Sequence, residues 1–268
     1  MEILLKVEGI SKSFGSVRAL NDVSFEIFQN EGVGLVGDNG AGKSTLIKIL
    51  SGNFPPDKGN IYLNGIKVNF NSPIDAKKMG IETVYQDLLL CTNLDSVSNL
   101  FIGREITQNY TGLKILQKRK MGEKTAEVMR KFGINLPSVK ERVEFLSGGE
   151  RQAVALGRFV VWGQNLALLD EPTAALGMRE TRKVLELILK IKKEKKDLSI
   201  IIVSHNLQHV FEIADRIIVL RHGSIVGIRD KISTNPEEIV SLVTGAISIK
   251  QWIYFIIKIS IKDRKFRK

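Results

Sequence analysis

The chain has 268 residues, 43% of them hydrophobic and 26% charged, which excludes the disordered and fibrous classes and supplies enough apolar side chains for a sizeable core. Of the formal charge of +11, the stretch Ile249 to Lys268 holds +6, with seven Lys or Arg against one Asp, so the body is only mildly basic and charge alone does not argue for nucleic acid. A single cysteine, Cys91, excludes a disulfide within the chain; with no signal-peptide pattern in the opening MEILLKVEGI, a cytoplasmic, reducing location is expected.

In chain order, VGLV reads as a strand and TLIKIL as a helix, with the glycine-rich GDNGAGKS between them. IYLNGIKVNF carries Asn64-Gly65 between alternating residues, the strongest short-range hairpin signal, so antiparallel structure should flank the main sheet. In SPIDAKKMG, Ser72 stands as an N-cap, Pro73 at the first helical position and Gly80 just past the end, predicting a short helix. From Asp87 to about Glu144 strand signals thin out and helical patterns dominate, notably GEKTAEVMRKFGI; this is the candidate helical insertion. The later segments LALLD, LSIIIVS and RIIVL are nearly continuous in apolar residues, as strands are when helices cover both faces of a parallel sheet. The charge run KIKKEKKD at 190–197 reads as the solvated face and end of a helix. No linker-like or repeated stretch lies between Met1 and Gly245. The expectation is an α/β protein with a mainly parallel sheet, a small antiparallel β-subdomain and an inserted helical subdomain.

The run Gly37, Asp38, Asn39, Gly40, Ala41, Gly42, Lys43, Ser44 fits G-x-x-x-x-G-K-[ST] without mismatch, between a strand and a helix. Bare backbone N–H groups wrap phosphates, the helix N-terminus adds its dipole, and a lysine neutralises the outer charges. A hydroxyl at Ser44 suits Mg²⁺. An ordinary glycine-rich turn would not need the lysine and hydroxyl in this register. LALLDEP supplies Asp170 for a metal and Glu171 to polarise an attacking water; the alternative is a strand end that caps the next helix. His205 follows the next strand, where a third group could contact a terminal phosphate. His205 and His209 stand four apart, but HNLQH lacks the glutamate and a third ligand that a zinc site requires.

A second glycine turn lies at FLSGGERQ. Ser147 with Glu150 three residues on forms a capping box opening the helix RQAVALGRFVVWG. Both positions between them are glycine, each about 1 kcal/mol worse than alanine inside a helix. A cap alone does not need them; exposed N–H groups for a second phosphate do.

These residues resemble the ATPase subunits of ABC transporters. The family's Walker A loop, Q-loop glutamine, signature, Walker B strand and switch histidine correspond, in the same order, to GDNGAGKST, Gln86 in VYQD, LSGGERQ, LALLDEP and His205. The resemblance covers nearly all of residues 1–246 and implies a P-loop NTPase core, RecA-like, with a helical subdomain at about 87–157. It implies ATP and Mg²⁺ as cofactors, held by residues 37–44 and Thr45, with Ser44, Gln86 and Asp170 at the metal and Glu171, His205 and Gln86 in catalysis. Ser147, Gly148 and Gly149 then bind the γ-phosphate of ATP held by an opposite subunit, so that two chains sandwich two nucleotides head to tail. An aromatic on the adenine is implied near KSFGSVRAL, making Phe14 the candidate; the alternative is a strand-end ring packed in the β-subdomain.

The stretches SPIDAKKMGIETVYQDLLLCTNLDSVSNLFIGRE, RQAVALGRFVVWGQNLALLDEPTAALG and SHNLQHVFEIADRIIVLRHG are similar to the simple-sugar importer branch. Leu176-Gly177 stands where most of the family has Leu-Asp, a departure shared by that branch, and it removes a carboxylate expected to reach across the dimer. Glu150 stands where glutamine is commonest. The implied partners are a second copy, integral-membrane permease subunits and, indirectly, an extracellular solute-binding protein, with no nucleic acid, at the cytoplasmic face of the membrane. Import of another small solute such as nucleosides, an ABC ATPase acting on nucleic acid, and a regulatory binder that closes on ATP without turnover are the competing readings. Residues 247–268 form a basic, apolar tail with no counterpart in the family; Trp252, Tyr254 and the flanking lysines suit an interfacial membrane contact, and an accessory element is the alternative.

Overall fold

Two strands of twelve residues open the chain in the computed structural model, which describes residues 2–246; the tail, and with it the interfacial reading of Trp252 and Tyr254, lies outside the described residues. The order is β1 (Ile3–Phe14), β2 (Val17–Phe28), β3 (Gly32–Val36), α1 (Lys43–Leu50), β4 (Lys58–Leu63), β5 (Ile66–Val68), α2 (Pro73–Lys78), β6 (Ile81–Val84), α3 (Ser96–Phe101), β7 (Thr107–Tyr110), β8 (Leu113–Leu116), α4 (Lys118–Phe132), α5 (Gly148–Trp162), β9 (Leu166–Asp170), α6 (Met178–Glu194), β10 (Ser199–Val203), α7 (Leu207–Ile213), β11 (Arg216–Arg221), β12 (Ser224–Asp230) and α8 (Pro236–Thr244).

A four-stranded antiparallel sheet runs β2-β1-β4-β5, and a six-stranded sheet runs β12-β11-β3-β10-β9-β6. In the second sheet only the β11–β12 pairing is antiparallel. Every residue of β3, β9 and β10 is buried, the reason their sequences are nearly continuous in apolar residues rather than alternating. One face of this sheet packs with α1 against the antiparallel sheet, joining Leu35, Leu46, Leu168 and Ile201 to Leu5, Ile10 and Ile27. The other face packs Leu169, Ile200 and Ile202 against Phe101, Met129, Phe159 and Ile188 from α3, α4, α5 and α6. Removing one such side chain, as in Ile202→Ala, costs about 2–5 kcal/mol.

The hairpin at Asn64-Gly65 forms as expected, both residues taking positive φ (50° and 75°) between β4 and β5. Helix α2 starts at Pro73 with Ser72 in the N-cap position, but the Ser72 hydroxyl donates to Asp75 Oδ2 at 3.0 Å instead of accepting a backbone N–H. The segment between β6 and β9 departs from expectation, because it contains the antiparallel β7–β8 hairpin as well as helices. All eight residues of these two strands are exposed, so burial imposes no alternation that the sequence could display. The lysine run also does more than face solvent: Lys195 Nζ donates to Phe159 O and Gly163 O, closing the end of α5.

Candidate active site

The phosphate-loop candidate leaves β3 at Gly37, whose Cβ, if it had one, would collide with Leu220 O. Gly42, the N-cap of α1, sits in the left-handed region at φ 105°, and a Cβ there would lie 2.5 Å from Ala19 O; no other residue fits either place. Around Gly40, by contrast, nothing lies within 4 Å of a built Cβ, and Asp38, Asn39 and Gly40 are exposed. The loop is thus anchored at both ends and open at its crown. Lys43 is buried, its Nζ donating to Gly37 O at 2.8 Å and Asp38 O at 2.9 Å, so the side chain spans the loop. Burial lowers its pKa, while the charges of Glu171, Asp170 and Asp38 act in the opposite sense.

Strand order places the other predicted groups beside this loop. Val203 of β10 pairs with Leu35 of β3 on one side and Asp170 of β9 on the other, and Val84 of β6 pairs with Leu169. Because these pairs are parallel, the carboxyl ends of β3, β10, β9 and β6 lie side by side, where open α/β sheets bind ligands. Asp170 and Glu171 follow from β9, His205 from β10 and Gln86 from β6. Asp170 is only 8% exposed. Burial raises its pKa, with the Lys43 charge and a hydrogen bond from Ser44 holding it down.

Glu171 occupies a left-handed conformation at φ 52°, a strained placement for a glutamate. Its Oε1 is buried without a hydrogen-bond partner among the described residues. The His205 Nε2 comes within 3.3 Å of it, close enough for charge attraction but not aligned as a hydrogen bond, and the His205 backbone N–H donates to Oε2 at 3.4 Å. Burial pushes the Glu171 pKa up, against the opposing effect of His205. His209 turns away: its Nδ1 lies 3.1 Å from Thr173 Oγ1, and burial lowers its pKa. Gln86 is exposed, in a turn where Leu88 and Leu89 both have positive φ.

The second glycine turn begins α5, and its capping box is complete: Ser147 N–H donates to Glu150 Oε2 at 2.7 Å and Ser147 Oγ accepts from Glu150 N–H at 3.4 Å. Ser147 and Gly148 are exposed. No hydrogen bond or ion pair joins Ser147, Gly148 or Gly149 to residues 37–45 among the described residues. The structure also shows a constraint that sequence reasoning missed. A Cβ on Gly148 would lie 3.3 Å from Leu176, and one on Gly149 3.2 Å from Glu180. The loop after Glu171 and the first turn of α6 therefore pack directly against the signature glycines. A Cβ at Gly177 would meet only the mobile end of the Glu180 side chain, at 2.7 Å. Behind the turn lies a cavity of about 420 Å³ lined by Phe132, Ser147, Gly149, Glu180, Val184 and Leu187.

Phe14 ends β1 half exposed, edge-to-face on Phe54 at 5.4 Å between centroids, with Lys12 Nζ 5.7 Å from its own ring centre. The following strand β2 passes Ala19 and Leu20 against Gly42, so this hairpin borders the phosphate loop.

Lys43, Asp170, Glu171, His205 and Gln86 thus gather at one edge of the parallel sheet, Ser147 lies at the start of α5, and Phe14 lies at the end of β1 in the antiparallel sheet. Residues 20–174 match the ABC transporter family. The chain is 48% identical over 245 residues to the xylose/arabinose import ATP-binding protein of Sulfolobus acidocaldarius, covering 91% of this chain and 95% of that one. It is 40% identical to the fructose import ATP-binding protein of Rhizobium meliloti, over 91% and 95%. Among solved structures, a dimeric ATP-binding cassette in a post-hydrolysis state with ADP and Pi superimposes with a TM-score of 0.71 at 24% identity, over 85% of this chain and 99% of that one, a likeness of fold. The chain belongs to the ABC transporter family, as an ATP-binding, ATP-hydrolysing member.

Proposed function

We propose that two copies of the chain close head to tail over two ATP molecules and thereby drive uptake of simple sugars through integral-membrane permease subunits, at the cytoplasmic face of the membrane, with an extracellular solute-binding protein delivering the sugar. The observation that carries the chemistry is the buried, unpartnered Glu171 Oε1 beside His205, at the strand edge that also presents Lys43 and Asp170. A carboxylate desolvated in this way is a base poised to take a proton from water rather than a structural cap. Lys43 and the N–H groups of residues 37–45 hold the β- and γ-phosphates, and Phe14 stacks on the adenine.

Asp170, Ser44 and Gln86 are hard oxygen donors, and the Lys43 charge acts on both Asp170 and Glu171, a donor set that fits Mg²⁺. When bound, Mg²⁺ supplies charge neutralisation of the phosphates. Glu171 orients the attacking water and accepts its proton, while His205 steers the Glu171 carboxylate and contacts the terminal phosphate. Ser147, Gly148 and Gly149 of the opposite copy close the site, giving each ATP a cradle from each chain. The segment 87–157, entered through Gln86, forms the helical subdomain that transmits closure to the permease; residues 1–246 form the ATPase domain. The relatives named for pentose and hexose import support the substrate class.

The test is reconstitution of the chain with its permease and binding protein in liposomes, followed by ATPase measurement across pentoses, hexoses and nucleosides. Stimulation by one or more monosaccharides is expected. Stimulation by nucleosides alone would overturn the sugar assignment.

A further inference from the structure

We infer that the β7–β8 hairpin and the start of α4 form a lipid-facing lobe that rests on an anionic bilayer surface. Among the described residues the two strands form a separate two-stranded sheet, the size at which a hairpin in water is marginal on its own. The turn is tight, Thr111 and Gly112 both taking positive φ (47° and 88°). Cross-strand register pairs Tyr110 with Leu113 and Gln108 with Ile115, and in an antiparallel ladder alternate pairs share a face. Tyr110, Leu113 and Ile115 therefore lie on one face with Gln108, and they are 66%, 70% and 48% exposed, while Lys114 and Leu116 lie on the other face. No other element of the described chain concentrates apolar exposure in this way.

Charge selects the occupant. Between Thr107 and Lys124 stand five Lys or Arg and a single acid, Glu123. Arg119 pairs with Glu123, and Lys124 lies over the Trp162 ring; Lys114, Lys118 and Lys120 are exposed and enter no ion pair among the described residues. A tyrosine and two aliphatic side chains on one face of the hairpin, with Lys114 on the other face and Lys118 and Lys120 at the start of α4, match the headgroup region of an anionic membrane, where apolar groups enter the interface and long lysine side chains reach the phosphates. A second copy would set like charge against like charge. The inference rests on the membrane-side location proposed above for the chain but not on its ATPase chemistry or its sugar.

The full chain carrying Cys91→Ser and Leu113→Cys, labelled with a nitrobenzoxadiazole fluorophore, tests it against vesicles of phosphatidylcholine with and without about 30% phosphatidylglycerol. A blue shift with about a threefold rise in emission is expected on the anionic vesicles only, falling as salt is raised, with no change for a label at Ile232→Cys, a distant site that is 97% exposed. Replacing Lys114, Lys118 and Lys120 by Glu is expected to reduce the response at position 113 about tenfold, with unchanged ATPase in solution. The proposal falls if position 113 stays solvent-exposed on anionic vesicles, if it responds equally to neutral ones, if it changes only when purified permease is added, or if it responds to protein concentration without lipid.

Discussion

Glu171 shows how a single side chain concentrates the chemistry and its cost. Its backbone is strained, one carboxylate oxygen is buried and unpartnered, and its pKa is raised mainly by burial. Glu171→Gln keeps the shape and removes the base, so ATP turnover should fall by about 10²–10⁴-fold while ATP binding persists. An unchanged rate would leave only the regulatory-binder reading. Because the folded-state pKa lies above the unfolded value, the folded state holds its proton more tightly, and the corresponding stability is lost as pH rises through the raised pKa. At neutral pH the ionised glutamate therefore destabilises the nucleotide-free chain. Glu171→Gln should raise its Tm, by about 2–4 °C for each kcal/mol relieved, and the two chains should converge as pH falls below the ordinary carboxylate range. The acid limb of the wild-type rate profile should likewise sit above the range of an exposed glutamate. Phe14→Ala, removing a half-exposed ring, should raise the KM for ATP about threefold to tenfold with kcat little changed. At this scale the motifs made Lys43, Asp170 and Glu171 legible, because phosphate chemistry needs those residue types at fixed spacing. Glu180 was not legible, since its effect is a contact with glycines on another helix.

The signature turn is an element whose two glycines serve two ends. Gly148 is exposed, with its N–H proposed for a phosphate of the opposite copy, and the lack of side chains lets Leu176 and Glu180 approach the pair. Gly149→Ala puts a methyl 3.2–3.3 Å from the Glu180 side chain and should lower ATPase about tenfold with nucleotide affinity of the separate chain unchanged, read by titration with a fluorescent ADP. Ser147→Ala removes a formed cap, which should destabilise by about 1 kcal/mol and show as a lower Tm beside the loss of activity. Legibility of the elements followed burial. Strands β9 and β10 announce themselves because both faces are covered, and β4–β5 because Asn64-Gly65 leaves few other turns. The long β1–β2 pair was read only as unspecified antiparallel structure, since its register shifts near Ile10 and Lys12 break the alternation. The β7–β8 hairpin escaped because nothing buries it, although Thr111-Gly112 carried the turn.

At the scale of the whole molecule, the phosphate loop and the signature turn sit on different elements with no bond between them among the described residues. In the proposed closed two-fold dimer, each chain's loop meets its twin's turn. Activity should then rise more steeply than linearly with protein concentration when the chain is dilute. The most direct test mixes two chains that are each inactive, one carrying Lys43→Ala and the other Gly149→Asp. A mixed head-to-tail dimer gathers both defects into one ATP site and leaves the other intact, so an equal mixture should recover about one quarter of the wild-type ATPase rate. A mixture as inactive as its components, with dimers demonstrably exchanging, would contradict the account.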